Sequence, residues 1–389
     1  MEEMGERYYL HPYDYEFQAR VIECRKTKKG WEAALEDTLF YPEGGGQPAD
    51  TGVLGDVHVL DVHRKDDVIW HETDGFLEAG TIVTGKIDWE RRFRHMQSHT
   101  GEHIVSGLIH RHYGYDNVGF HMGKEIQIDF NGPLTGEQIR EIELEANRIV
   151  MRNEAVIETF PSAEELAVTD YRSKKELSGK VRLIEVPDAD LCACCGTHVA
   201  RTGEIGIIKI LRHEKHKDGV RIYMKAGLDA LDEIMVQCDE NRKISAELSA
   251  ETNKTHASVV RLKQEIEEKN RTIYAMTEMY LDTIIQETPD NAPLVCIMLE
   301  GISRQALGKL AERLLEEKHA RVAAVLNRTQ EDSCTYLICS RSVDLRSYVK
   351  PLNNALHGRG GGKPEYIQGS FQADEETIRR ELQKVLGTI

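Results

Sequence analysis

R-H-M-Q-S-H-T-G-E-H-I-V-S-G-L, from Arg94 to Leu108, is the stretch from which the rest of the chain is read. His99 and His103 stand four apart, a spacing that puts both on one face of a helix, one turn from each other. Ile104, Val105, Leu108 and Ile109 continue an apolar stripe beyond them, so a helix is expected from about Phe93 to Tyr113. Two imidazoles at that spacing suit one metal ion, although histidine pairs are also common on plain helix surfaces.

A second cluster follows in D-L-C-A-C-C-G-T-H-V-A, Asp190 to Ala200. Cys194 and His198 also stand four apart, with Gly196 between them marking a turn rather than a helix. Two histidines, one cysteine and one histidine make a complete borderline-soft set for tetrahedral zinc. Cys192, Cys194 and Cys195 read alternatively as small buried apolar residues. Three cysteines in four positions beside a histidine weigh against that.

With 389 residues, two or three domains are expected. The opening M-E-E-M-G-E-R carries no signal peptide and no stretch is long enough to span a bilayer, so a cytoplasmic protein is expected. Its eight unevenly spaced cysteines read as free thiols or metal ligands rather than a disulfide framework. The net charge of -16 argues against indiscriminate nucleic-acid binding but leaves room for local basic surfaces. Three such clusters are Arg91-Arg92-Phe93-Arg94-His95, Arg212 to Arg221, and His357 to Lys363; each reads alternatively as a solvated charged face.

In chain order the expected fold class is α+β, in four parts. Residues 1–88 alternate as short strands and form a small β-barrel, and they contain T-L-F-Y-P-E-G-G-G-Q, Thr38 to Gln47. Its three glycines form a turn or admit a ligand close to the backbone. Residues 89–226 mix helix and strand around the candidate ligands. Residues 227–288 form a helical connector, with Val259, Leu262, Ile266, Ile273, Met276 and Tyr280 on a heptad-like seam interrupted by Lys269. Self-association through that seam and packing within its own domain are both open. Residues 289–389 make a compact α/β unit containing the glycine-rich loop L-H-G-R-G-G-G-K-P-E-Y-I-Q-G. That loop lacks the P-loop spacing, yet Arg359, Gly360, Gly361, Gly362 and Lys363 suit a phosphate backbone.

F-Y-P-E-G-G-G-Q, H-T-G-E-H and C-C-G-T-H, in this order, resemble the editing domain of alanyl-tRNA synthetase and its free-standing AlaX relatives. G-R-G-G-G-K-P-E-Y-I-Q-G resembles the domain that ends the synthetase and is shared with DHH-family phosphoesterases. The length leaves no room for an aminoacylation core, so the resemblance implies a long AlaX protein that edits in trans. It implies Zn2+ held by His99, His103, Cys194 and His198, with Cys194 favoured over Cys195 because it keeps the four-residue step. It implies that Thr38 recognises the serine hydroxyl, with Gln47 a further substrate contact and His121 a loose match to a catalytic-site glutamine. The partner implied is tRNA(Ala) carrying serine or glycine, contacted through Arg91, Arg92, Arg94 and the glycine-rich loop. A homodimer through the connector and C-terminal domain is a further expectation. Two rival readings are a zinc peptidase, since H-T-G-E-H fits H-x-x-E-H with Glu102 as general base, and a non-catalytic tRNA-binding protein with a structural zinc.

Overall fold

Alternation of buried and exposed side chains builds the first strand. In β1 (Glu16–Lys26), Phe17, Ala19 and Val21 point inward and their neighbours outward. The structure is a computed structural model and describes residues 6–28, 30–173 and 181–387. A short helix α1 (Arg7–Leu10) precedes β1. β2 (Trp31–Leu35), β3 (Gly52–Leu54), β4 (Val57–Lys65), β5 (Val68–Thr73) and β6 (Ile82–Ile87) follow. They close a barrel in the order β1-β2-β5-β4-β3-β6, which removes free sheet edges. Val21, Leu54, Val62 and Phe40 fill it. The barrel expected for the first 88 residues is therefore present.

Helix α2 (Trp89–Tyr113) starts four residues before the expected Phe93, because Asp88 caps it by accepting from Arg91 N. Gly114, at φ 69°, ends it in the left-handed region. β7 (Asn117–Met122), β8 (Ile126–Phe130), α3 (Gly136–Arg152), β9 (Ile157–Thr159), α4 (Ala163–Leu166), β10 (Leu183–Val186), β11 (Asp190–Ala193), β12 (Ile208–His216) and β13 (Gly219–Ala226) complete this part. A four-stranded antiparallel sheet, β12-β13-β8-β7, packs against α2 and α3. The three-stranded sheet β11-β10-β9 delivers the cysteine loop.

Two helices follow, α5 (Gly227–Glu247) and α6 (Thr255–Glu287). The chain divides into two compact units, the first ending at Lys243 and the second starting at Ile244. In the second unit come β14 (Leu294–Glu300), α7 (Arg304–Glu316), β15 (Val322–Gln330), β16 (Ser333–Cys339), α8 (Val349–Ala355), β17 (Arg359–Lys363), β18 (Tyr366–Phe371) and α9 (Glu375–Leu386). They form one sheet, β14-β15-β16-β18-β17, covered on both faces. Along β15 the faces alternate: Val322, Ala324 and Leu326 join the core beside α8 and α9, Ala323 and Val325 the core beside α7 and the end of α6.

The glycine-rich stretch is not a loop. It is the edge strand β17. A Cβ at Gly360 would lie 2.5 Å from Gln368 O, and one at Gly362 2.1 Å from Tyr366 O. The glycines let β17 press against β18; they do not arrange a turn of free amides. Arg359 and Lys363 remain exposed at its ends. Leu262, Ile266, Ile273, Met276 and Tyr280 of the heptad seam are exposed along α6. Among the described residues, no helix is long and apolar enough to cross a membrane.

Candidate metal centre

Helix α2 brings His99 and His103 to one face, and the loop after β11 carries Cys194 and His198 up to them. One donor atom from each of the four lies within 4.8 Å of the others. Cys194 Sγ is 3.3 Å from His99 Nε2 and 3.3 Å from His198 Nε2. The three imidazoles are 1%, 2% and 6% exposed, so water competes little for the position they surround. Gly196 is required here: a Cβ on it would lie 1.9 Å from the His99 ring. Cys195 is exposed and outside the four-donor set.

Each imidazole has a polar neighbour behind it at Nδ1, hydrogen-bonded for His99 and His198 and an ion-pair contact without hydrogen-bond geometry for His103. Gln47 Oε1 lies 2.9 Å from His99 Nδ1, and Thr100 Oγ1 3.1 Å from His198 Nδ1. Asp190 Oδ2 lies 2.9 Å from His103 Nδ1, and Arg172 grips the same carboxylate with two nitrogens at 2.6 and 2.8 Å. Those contacts leave the Nε2 atoms for a metal, the usual way in which outer partners set tautomer and orientation. Burial opposes charge on all of these groups. Against it, the three imidazoles hold the Cys194 thiol well below its ordinary range. His103, opposed by burial but set between Cys194 and Asp190, is raised to about 10, while burial pushes His198 down to about 3. A thiolate among imidazoles in a dry site is the donor chemistry of zinc.

The backbone of the cysteine loop is clamped as well. Arg182 Nη1 donates to Cys194 O at 3.2 Å and to Gly196 O at 2.8 Å. Tyr9 and Tyr41 hydroxyls donate to Cys195 O at 2.6 and 3.0 Å. Burial pushes both phenols up, so both remain donors. Arg182 also lies over the Tyr9 ring, 4.3 Å from its centroid. Neither Tyr9 nor Arg182 carries a sequence signal for this role. Asp190 and Thr100, in contrast, stand inside the two quoted motifs.

Several expected site residues have other places. Gln47 is fully buried, and besides His99 it accepts from Thr197 N at 3.0 Å and donates to Thr197 Oγ1 at 2.9 Å. It orients a ligand and offers substrate no exposed atom. His121 is exposed, while the preceding Phe120 turns its ring to His99, 5.4 Å between centroids. Strand alternation thus aims His121 away from the centre. Arg92 is fully buried and spent on Asp50, Leu39 O at 2.6 Å and Pro12 O at 3.1 Å, so tRNA cannot reach it. Its helix phase, shared with Met96 and His99, buries it. Arg91 donates to Ala49 O, and Arg94 to Glu90, Asp229 and Asp232. Thr38, 5% exposed, faces His71 Nε2 at 2.9 Å and accepts from Phe40 N at 3.1 Å. Glu102, 1% exposed, accepts from Ser106 at 2.6 Å and from Asn117. Held inward in this way, it is not placed as the general base that the peptidase reading needs.

Comparison with known proteins agrees with this geometry. The alanyl-tRNA editing protein AlaX-L of Pyrococcus horikoshii is 30% identical over 394 residues, covering 95% of each chain. The chain belongs to the AlaX-L family. Residues 181–223 of this AlaX-L relative match the threonyl and alanyl tRNA synthetase second additional domain, and residues 291–388 match the DHHA1 domain. An alanine–tRNA ligase of Methanococcus maripaludis is 28% identical over 398 residues. That alignment takes in 97% of this chain but 43% of the ligase, so the chain spans less than half of that protein. Among solved structures, the C-Ala domain of Aquifex aeolicus alanyl-tRNA synthetase aligns with 26% of this chain and 96% of its own, at 22% identity and a TM-score of 0.22.

Proposed function

We propose that the chain is a trans-editing hydrolase that removes chiefly serine from tRNA(Ala). Water and the aminoacyl ester give the free amino acid and a free hydroxyl on the terminal ribose. The observation that carries the reading is the meeting of three separated motifs at one point: Gln47 of the glycine loop against His99, with Cys194 and His198 beside them. Zn2+ is the proposed cofactor, held by His99, His103, Cys194 and His198. When bound it supplies a fixed positive charge that polarises groups brought against it.

The chain's own residues account for selectivity. His71 Nδ1 lies 3.0 Å from Ala33 O, and burial pushes its pKa down to about 4, so it is neutral with Nδ1 donating. Its Nε2 then accepts a hydrogen bond from the Thr38 hydroxyl. Thr38 is left with an acceptor lone pair and no donor, which matches an incoming serine O–H. Alanine offers none, and a pocket with an unpaired polar group rejects it. The synthetic site faces the opposite problem, because an apolar pocket cannot strongly exclude one added hydroxyl.

Contacts with tRNA are proposed for Arg91 and Arg94 near the centre and for Arg359 and Lys363 on β17. The exposed seam on α6 is proposed to pair with a second copy, its heptad spacing being that of a two-helix interface. The deciding assay is deacylation of Ser-tRNA(Ala) beside Ala-tRNA(Ala) by zinc-loaded protein and its Cys194→Ala variant. Loss of serine alone, abolished in the variant, is expected. No deacylation by zinc-loaded wild type would remove the reading and favour a non-catalytic tRNA-binding protein.

A further inference from the structure

The outer wall of the barrel carries a second group of metal-type donors. Glu32 of β2, His63 of β4 and Glu72 of β5 each offer one donor atom, and the three atoms lie within 4.8 Å of one another. Their strands are consecutive in the barrel, in the order β2-β5-β4. Each donor is the chain neighbour of a buried residue. Ala33, Val62 and His71 face inward, so period-two alternation turns Glu32, His63 and Glu72 outward. The strand register completes the convergence. Glu32 stands opposite Glu72, and His71 stands opposite Ala33 on one side and Val62 on the other. His63 is therefore diagonal to Glu72, within reach of a long side chain.

The spacing is that of ligands around a cation rather than of a hydrogen-bonded pair. Glu32 Oε1 is 3.9 Å from His63 Nε2, too far for a hydrogen bond. Donors that each lie about 2.1 Å from one zinc ion stand roughly 3.4 Å apart. Arg25 engages the same carboxylate, but its Nε and Nη2 both donate to Oε2, at 3.0 and 2.9 Å. The guanidinium also lies over the Trp70 ring, 3.7 Å from its centroid. Arg25 thus fixes Glu32 from one side and leaves Oε1 turned toward His63. Carboxylates directly opposite each other on paired strands repel, and an ion bound by both removes that repulsion. The side chains of Glu32 and His63 are 15% and 32% exposed, so an ion can enter from solvent and keep bound water.

We infer that Glu32, His63 and Glu72 bind a divalent transition-metal ion of the zinc class, at a site that shares no residue with the four-donor centre. One imidazole with two carboxylates suits zinc better than magnesium or calcium, which take oxygen ligands. Water completes the coordination. The ion ties three strands together around His71, the inward neighbour of Glu72 that faces Thr38. The inference stands apart from the deacylation proposed above, because it needs only the barrel.

The test is equilibrium dialysis of the chelator-stripped full chain against Zn2+, with His63→Ala, Glu72→Gln and Cys194→Ala alongside. Two ions per chain are expected in wild type and one in each variant. Co2+ separates the sites by absorbance, since only the Cys194 centre gives a thiolate-to-cobalt charge-transfer band. His63→Ala should weaken the step that lacks this band by about tenfold or more, as even an outer partner of a ligand is worth that much. The band itself should persist, showing that the variant is folded. If His63→Ala loses it, Glu72→Gln, which is isosteric, takes its place. Three results overturn the inference: a single ion in wild type that Cys194→Ala abolishes, a second ion indifferent to both His63→Ala and Glu72→Gln, or a second ion displaced by an equal concentration of Mg2+. A single ion that His63→Ala abolishes and Cys194→Ala retains would uphold it and remove the four-donor assignment instead.

Discussion

Gln47→Ala distinguishes a ligand-positioning residue from a substrate contact. The amide side chain is fully buried and makes three contacts, to His99 Nδ1 at 2.9 Å, Thr197 N at 3.0 Å and Thr197 Oγ1 at 2.9 Å. Truncation strands the Thr197 N–H and the His99 ring nitrogen inside the protein. Each stranded group costs about 1–3 kcal/mol, so a loss on the order of 2–6 kcal/mol of stability is expected. Loss of an outer partner to a metal-bound histidine also costs about 10–100-fold in metal affinity. Urea unfolding of the zinc-loaded protein reads the first effect, and chelator competition the second. Gln47→Glu, whose carboxylate still accepts from His99 and Thr197, should recover most of the affinity. The reasoning is refuted if Gln47→Ala keeps wild-type zinc affinity and unfolding midpoint but raises KM for Ser-tRNA(Ala), because Gln47 would then touch substrate.

The clamp on the cysteine loop predicts that Arg182→Met combined with Tyr9→Phe speeds zinc loss to a chelator by about tenfold or more, with Cys194 itself intact; an unchanged release rate removes the clamp from the account. Ile266→Glu with Ile273→Glu should turn a dimer into a monomer by light scattering, while deacylation by the separate metal centre persists; a monomeric wild type would refute the seam. Acid should destabilise the fold through His71. Its folded pKa of about 4 lies below the unfolded value, so the unfolded chain alone binds a proton in between. Stability therefore falls as pH drops from about 6.5 to 4, by about 3 kcal/mol for this group. Urea midpoints at pH 7 and pH 4.5 should differ less in His71→Gln than in wild type.

The parts legible in the sequence were those in which chemistry and spacing coincide. A four-residue step between soft donors, repeated in H-T-G-E-H and C-C-G-T-H, limits the geometry enough to bring His99, His103, Cys194 and His198 together. Alternation and turn residues likewise sufficed for the barrel. Other assignments failed where the phase of an element decides the outcome. R-R-F-R reads as a uniform basic patch, yet one residue of rotation separates half-buried Arg91 from Arg92, which is sealed against Asp50. His121 and Phe120 differ by one strand position, and only Phe120 faces the metal ligands. The run of glycines reads as a loop because glycine usually marks one; here close strand pairing, which only the three-dimensional register reveals, is what requires it. Tyr9 has no local signal at all, since its partner is a backbone carbonyl far along the chain.

The segment from Thr38 to Asp50 joins these observations. Its first residue carries the proposed hydroxyl acceptor, Gln47 contacts His99, and Asp50 receives Tyr41 N at 2.7 Å together with the buried Arg92 of α2. A buried ion pair adds little stability by itself, because desolvation offsets its attraction, but it fixes one arrangement against others. Here the arrangement fixed is that of the barrel on the metal helix. The proposed hydroxyl acceptor and the partner that orients His99 therefore lie on a single short backbone segment. On the proposed function, this gives a physical reason for the barrel: it carries the proposed hydroxyl acceptor on the same segment that meets the candidate metal ligands.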